Sequence, residues 1–370
     1  MGASVVLQFW LAFSLLASLA HASYDTSTLK LVHVLFRHGD RNPDEDSLYQ
    51  SNPYYNESYY EEGYGQLTNA GKVTEYNLGY ELRNRFDSFL ETSWNINYVD
   101  TRSTDVNRTK MSAELVLASL YPARLSQIWS SLFWLPIPYN YYPYTEDKEI
   151  YPWGACSTYW NSLVNSAMSS SNISTYFSTR YKKMITIMEA YTDITITAYS
   201  AYTLYFGFAT QDELGLTLED WTSLVYPEPL HSAAVDFYYI NTNTTALRRI
   251  SAGYLLKKIL SDTADKINGT ISPSTRKVFL YSAHELNVAS MLLSLEVYNV
   301  TTIAPYGSYV LFELHEIDEV YGIKLFYQFY EEDDPVPVKL TGCDYFCPYD
   351  TFYSLVEDLL PESDSDCTGS

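Results

Sequence analysis

The run Leu31 to Phe36 is apolar and rich in branched side chains, and it is bounded by Gly39 and Pro43. It reads as a buried strand. Apolar positions then recur at helical spacing across Gly71 to Phe89 (Val73, Tyr76, Leu78, Leu82, Phe86, Phe89), Ile96 to Val99 reads as a second strand, and Asp105 to Leu120 returns to a helical pattern. From about Ser131 to Ile240 the pattern changes. Pro136, Pro138, Pro143 and Pro152 punctuate a Tyr-rich stretch, followed by helices such as Tyr176 to Tyr191. Alternation resumes with a helix over Leu247 to Asp265, a strand over Lys277 to Ser282, a helix over Glu285 to Leu295, and strands at Tyr309 to His315 and Gly322 to Phe329. Strand and helix in alternation predict an α/β fold with a mainly parallel sheet flanked by helices. The expected organisation is a catalytic α/β domain from residues 23–130 plus 241–370, with residues 131–240 inserted as a mainly helical cap.

Residues 1–22 hold no Lys, Arg, Asp or Glu, and an apolar run from Val5 to Leu19 leads into Ala20-His21-Ala22. This is the pattern of a secretory signal peptide cut after Ala22. The run is shorter than the ~20 residues a membrane span needs, and no later segment reads as a span. Secretion agrees with four cysteines and with N-x-S/T sequons at Asn56, Asn107, Asn172, Asn243, Asn268 and Asn299. Of the three possible disulfide pairings, the loop-like stretch Gly342 to Pro348 favours Cys343 with Cys347, leaving Cys156 for Cys367. Asn107 opens a helix beside the candidate site described next, so a glycan there would crowd it and low occupancy is expected. The other five asparagines are expected glycosylation sites.

Composition narrows the function. The chain has 370 residues, 46% of them hydrophobic, enough for one large or two smaller domains. Lys and Arg number 23 against 45 Asp and Glu, a formal charge of -22, which argues against nucleic acid or an anionic membrane as the main partner. An anionic substrate therefore has to be drawn in by a local cluster of cations. Directly after the first strand stands Arg37-His38-Gly39-Asp40-Arg41-Asn42-Pro43. In open α/β sheets ligands bind outside the carboxyl ends of strands, so two guanidinium groups and an imidazole stand where a ligand would sit. Two further strands lead into Asp100 to Asp105, with Arg102, and into Ala283-His284-Glu285. If these strands are parallel neighbours of the first, Arg37, Arg41, Arg102, His38, His284 and a carboxylate gather in one pocket. His33, His231 and His315 read as ordinary hydrogen-bonded side chains.

The Arg-His-Gly-x-Arg-x-Pro string resembles the signature of the histidine acid phosphatases, a branch of the phosphoglycerate-mutase-like superfamily, closest in flavour to the secreted prostatic type and the insect venom enzymes. The resemblance extends to Gly65-Gln66-Leu67-Thr68, Thr101 to Asp105 with Arg108-Thr109, Met111-Ser112-Ala113, Trp134 to Pro138, Gly215 to Leu218 with Trp221, and Tyr281 to His284. It implies a metal-independent, cofactor-free acid phosphatase that hydrolyses a small-molecule phosphate monoester through a phosphohistidine. Carried over by motif, His38 is the nucleophile, Arg37, Arg41 and Arg102 clamp the phosphoryl oxygens, and His284 adds a hydrogen bond. Glu285 stands where most of the family has Asp, and is expected to be the proton donor, with Asp40 and Asp44 as fallbacks. Related enzymes imply a homodimer, and secretion or the lumen of an acidic organelle as the location. The competing readings are a specialised phosphatase for lysophosphatidic acid or inositol phosphates, and a secreted binding or effector protein that kept the fold and lost turnover.

Overall fold

β1 (Leu29–Arg37) is buried along nearly its whole length because its side chains feed two cores at once. Successive strand side chains point to opposite faces. Leu31 and Leu35 accordingly enter one hydrophobic cluster, while Val32, Val34 and Phe36 enter the other. The computed structural model describes residues 24–329, 334–363 and 365–369, so the signal peptide expected over residues 1–22 lies outside the described residues.

After β1 come α1 (Asn69–Phe86), β2 (Val99–Ser103) and α2 (Asn107–Leu120). A helical stretch follows: α3 (Ser157–Ser169), α4 (Ser171–Arg180), α5 (Lys182–Thr192), α6 (Ala198–Glu213), α7 (Leu230–Asn241) and α8 (Tyr254–Asn268). The chain then returns to the sheet with β3 (Val278–Ala283), α9 (Glu285–Ser294), β4 (Tyr309–Ile317), β5 (Val320–Gln328), β6 (Val336–Val338) and β7 (Cys347–Pro348), and α10 (Tyr349–Val356) comes after. The strand order is β2-β3-β1-β4-β5-β6, with β7 on β5. β2, β3 and β1 run parallel, whereas β4, β5, β6 and β7 pair antiparallel. The sheet is thus mixed, and its parallel part is confined to the three strands that carry the motifs. The antiparallel part follows from a tight turn. β4 and β5 are joined through Asp318 and Glu319 at φ 50° and 65°, the left-handed pair a two-residue hairpin requires.

α1 and α2 cover one face of the sheet through Leu78, Leu82, Phe86, Val116, Leu117 and Leu120. They approach closely at Gly79, where a Cβ would meet the Val116 carbonyl oxygen at 2.2 Å. The helical stretch covers the other face, and its buried residues, among them Trp160, Phe208 and Phe237, share one core with Leu31, Leu35 and Val310 of the sheet. Disulfides join Cys156 to Cys367 and Cys343 to Cys347.

Three element boundaries differ from expectation. The second strand begins at Val99, where the expected one ended, because sheet pairing with Val278 to Ser282 recruits the polar run Asp100 to Ser103. The helix expected over Tyr176 to Tyr191 is two helices broken at Tyr181. The stretch around Leu247 to Asp265 is not one regular helix, since a π-helical turn at Arg249–Gly253 precedes α8.

Candidate active site

The parallel strands β2, β3 and β1 bring their carboxyl ends together, and the loop after β1 fixes the site. Gly39 crosses Gly71 at the start of α1 so closely that a Cβ on Gly39 would lie 2.3 Å from the Gly71 carbonyl oxygen. No other residue fits this crossing. His38 is 1% exposed, its N–H donates to the Ala283 carbonyl of β3, and its imidazole Nδ1 lies 2.8 Å from the Gly39 carbonyl oxygen. A carbonyl only accepts, so Nδ1 carries the proton and Nε2 keeps its lone pair. Burial and the cations Arg108 and Arg37 push the His38 pKa well below its ordinary value of 6.5. The imidazole is therefore neutral in mild acid.

Around His38 the cations converge. Arg37 lies at the end of β1, 2% exposed, with Nη1 donating to the Ala304 carbonyl at 2.6 Å and the guanidinium stacked 3.7 Å over the Tyr306 ring. Its Nε and Nη2 are buried without a hydrogen-bond partner among the described residues. Arg41 is held between the Asn42 carbonyl at 2.9 Å and the Asp44 carboxylate at 3.1 Å. His284 sits at the N-cap of α9 with its ring 5.4 Å from that of His38, and its Nε2 lies 3.0 Å from the Thr104 hydroxyl. Burial, then Arg108, hold its pKa well below 6.5. Glu285 opens α9, accepts from the Tyr202 hydroxyl of α6, and lies 3.8 Å from Arg37 Nε. Burial and Glu285 keep the Tyr202 phenol protonated, as a donor.

Arg108, in the first turn of α2, belongs to the family motif, but its place in the sequence alone gives it no role. Its Nε donates to His38 Nε2 at 3.1 Å and its Nη1 donates to Asp44 at 3.0 Å. The N-termini of α2 and α9 both lie at this cluster, and helix N-termini favour an anion.

Arg102 corrects the sequence reading. It falls inside β2 rather than beyond its end, so strand alternation commits its side chain to a face of the sheet. There its guanidinium pairs with Asp147 at 2.8 Å and with Glu149, and stacks over Tyr142. A cavity of about 540 Å³ beside it is lined by Arg102, Tyr142, Asp147, Glu149 and Lys257, without any of the residues around His38. The cationic pocket therefore holds Arg37, Arg41 and Arg108. Asp40 is also occupied elsewhere, its carboxylate accepting from Thr74 of α1 at 2.7 Å. Behind the loop, Glu75 of α1 is fully buried with neither carboxylate oxygen partnered, and burial with nearby Asp40 pushes its pKa well above 4.5.

The remaining described histidines are bonded apart from this cluster: His33 to Tyr281, His231 to Glu228 and Thr302, His315 to Glu313 and Thr28. The six sequon asparagines are all exposed, Asn107 included, so burial does not set it apart.

Comparison with known proteins agrees with the geometry. The family model described as histidine phosphatase superfamily (branch 2) matches residues 28–328. The chain is 34% identical over 355 residues to the venom acid phosphatase Acph-1 of Apis mellifera, covering 95% of this chain and 90% of that protein. It is 32% identical over 347 residues to the lysosomal acid phosphatase of Homo sapiens, covering 90% of this chain and 79% of that one. Among solved structures it resembles the phytase of Citrobacter braakii, with a TM-score of 0.67, 17% identity, and coverage of 93% of this chain and all of that one. That likeness concerns the fold.

Proposed function

The chain belongs to branch 2 of the histidine phosphatase superfamily, and we propose that it is a secreted, glycosylated acid phosphatase that hydrolyses phosphate monoesters through a phosphohistidine on His38. The observation that carries this reading is the state of His38: Nδ1 is tied to the Gly39 carbonyl, and Nε2 offers its lone pair into a cluster of three arginines. In the first step Nε2 attacks phosphorus, the P–O bond to the leaving group breaks, and Glu285 gives that oxygen a proton. Water then attacks the phosphohistidine, the P–N bond breaks, Glu285 takes the water's proton back, and inorganic phosphate leaves. Splitting hydrolysis in this way replaces one difficult displacement by two easier ones. Arg37, Arg41 and Arg108 meet the charge on the equatorial oxygens, with His284 as a further donor, and such preorganised charge is usually the largest catalytic contribution.

A low His38 pKa supports work in acid, because the nucleophile stays unprotonated well below pH 6.5. The disulfides and the expected leader suit an oxidising compartment, either outside the cell or in an acidic lumen. The helices between residues 131 and 240 act as the cap. Their Tyr202 and Phe206 reach Glu285, Arg37 and Arg41. Asn56, Asn172, Asn243, Asn268 and Asn299 carry glycans in this reading. The test is phosphate release from a chromogenic aryl phosphate between pH 4 and 8, with and without chelator, by purified protein and its His38→Ala variant. Chelator-resistant turnover that is strongest in acid and absent in the variant is expected. A folded wild type without turnover, or a variant as active as wild type, contradicts the reading.

A further inference from the structure

Among the described residues, Asp44 is the one carboxylate that touches two of the three clustered arginines. Its Oδ2 lies 3.1 Å from Arg41 Nη1, and its oxygens accept from Arg108 Nη1 at 3.0 Å and Nη2 at 3.4 Å. Burial opposes ionisation of Asp44, but Arg41 and Arg108 outweigh it and hold the group below the ordinary carboxylate range. Arg108 meanwhile donates its Nε to His38 Nε2. A phosphoryl group in line with Nε2 must come within about 3 to 3.5 Å of that nitrogen. It would then meet the same guanidinium groups the carboxylate now holds.

The loop is built so that this carboxylate can both reach in and leave. Asp44's backbone is anchored, because its carbonyl accepts from the Ser47 N–H at 3.0 Å and the Ser47 hydroxyl at 2.6 Å. Its side chain is 32% exposed, unlike that of Arg41 at 6%. Gly65, at φ +67°, leaves the space, since a Cβ there would lie 2.4 Å from Asp44 Oδ1.

We propose that Asp44 is an internal occupant of the phosphate site, a positioning carboxylate that bridges Arg41 and Arg108 in the free protein and competes with the phosphoryl group for them. This rests on the proposed reaction at His38. The carboxylate keeps two like-charged guanidinium groups side by side without substrate, and it weakens binding of substrate and product alike. The consequence is a higher KM together with weaker retention of inorganic phosphate.

The test is calorimetric titration of the whole protein with inorganic phosphate, beside steady-state kinetics on an aryl phosphate, for wild type, Asp44→Asn and Asp44→Ser. Asp44→Asn keeps the shape and removes the charge, so the phosphate Kd and KM should fall together by about five- to tenfold, the size of one or two partly exposed ion-pair contacts. Asp44→Ser should lower the phosphate Kd in the same direction, which separates loss of the charge from a packing fault. Equal or weaker phosphate binding by both folded variants would overturn the competition and make Asp44 a scaffold for the arginines. A wild type that neither binds nor releases phosphate would instead sink the reaction at His38 on which the inference rests.

Discussion

Arg102 and Arg108 belong to neighbouring elements, β2 and the first turn of α2, and each is matched by carboxylates, yet their surroundings differ in kind. Arg102 faces Asp147, which is fully buried and itself accepts from the backbone N–H groups of Glu149 and Ile150. That arrangement is closed: removing the Arg102 charge strands Asp147 in the interior, while Glu149 gives Arg102 a second partner. Arg108 faces a carboxylate that is one-third exposed and an imidazole nitrogen that has no other donor among the described residues. On the proposed reaction, a structural arginine is thus marked by a partner fixed in place, and a phosphate-binding one by a partner that substrate displaces. Charge, motif membership and closeness in sequence do not separate the two.

The largest effect is expected from substitution of Arg108. Arg108→Ala should lower kcat/KM on an aryl phosphate by about 10²- to 10³-fold, the usual cost of losing one transition-state donor. The melting temperature should change little, because Asp44 is open to water. Arg102→Ala should do the reverse. Leaving Asp147 buried and unpaired should destabilise the fold by about 3 kcal/mol in chemical denaturation, the low end for a broken buried pair, since Glu149 is partly exposed. Turnover per folded molecule should stay near that of wild type. If Arg102→Ala instead lost turnover at full stability, the assignment of the two arginines would be inverted.

Glu75 gives a smaller effect, that of a buried carboxyl group with no hydrogen-bond partner among the described residues. Its folded pKa stands well above 4.5. Above pH 4.5 the unfolded chain has released this proton while the folded chain keeps it, so stability from this group falls as pH rises, by about 1.4 kcal/mol per pH unit up to the folded pKa. Below pH 4.5 both states are protonated and the penalty vanishes. Glu75→Gln should therefore raise the melting temperature at pH 7 and leave it nearly unchanged at pH 4. Equal shifts at both pH values would show that Glu75 does not hold a proton in the folded state.

The sequence pattern was informative where burial is apolar and silent where it is polar. β1, β3 and α9 stand out because their side chains are buried and mostly hydrophobic, and two of them run directly into His38 and His284. β2 is largely polar, so its apolar approach looked like the strand and its true body looked like a loop, which put Arg102 past an end it never reaches. α1 shows the same limit. Val73 and Tyr76, read as part of its apolar face, are exposed, while Gly71, Thr74, Glu75 and Gly79 are buried. Close helix contacts use small and polar residues that hydrophobic periodicity does not register. The partners of Arg102 lie far along the chain at Asp147 and Glu149, and no local signal announced them. A signal for Arg108 was present, namely an arginine in the first turn of a helix that starts beside the pocket. Its weight depends on the orientation of α2, which no local pattern gives.

In the proposed reaction His38 Nε2 carries the phosphoryl group. The most direct test mixes the protein with a ³²P-labelled monoester, quenches within milliseconds in alkali, where phosphohistidine survives, and maps the labelled peptide. Alkali-stable label is expected on the peptide containing His38, with none in His38→Ala. Label on another residue, or turnover without any trapped label in a protein whose His38→Ala variant remains active, would contradict it.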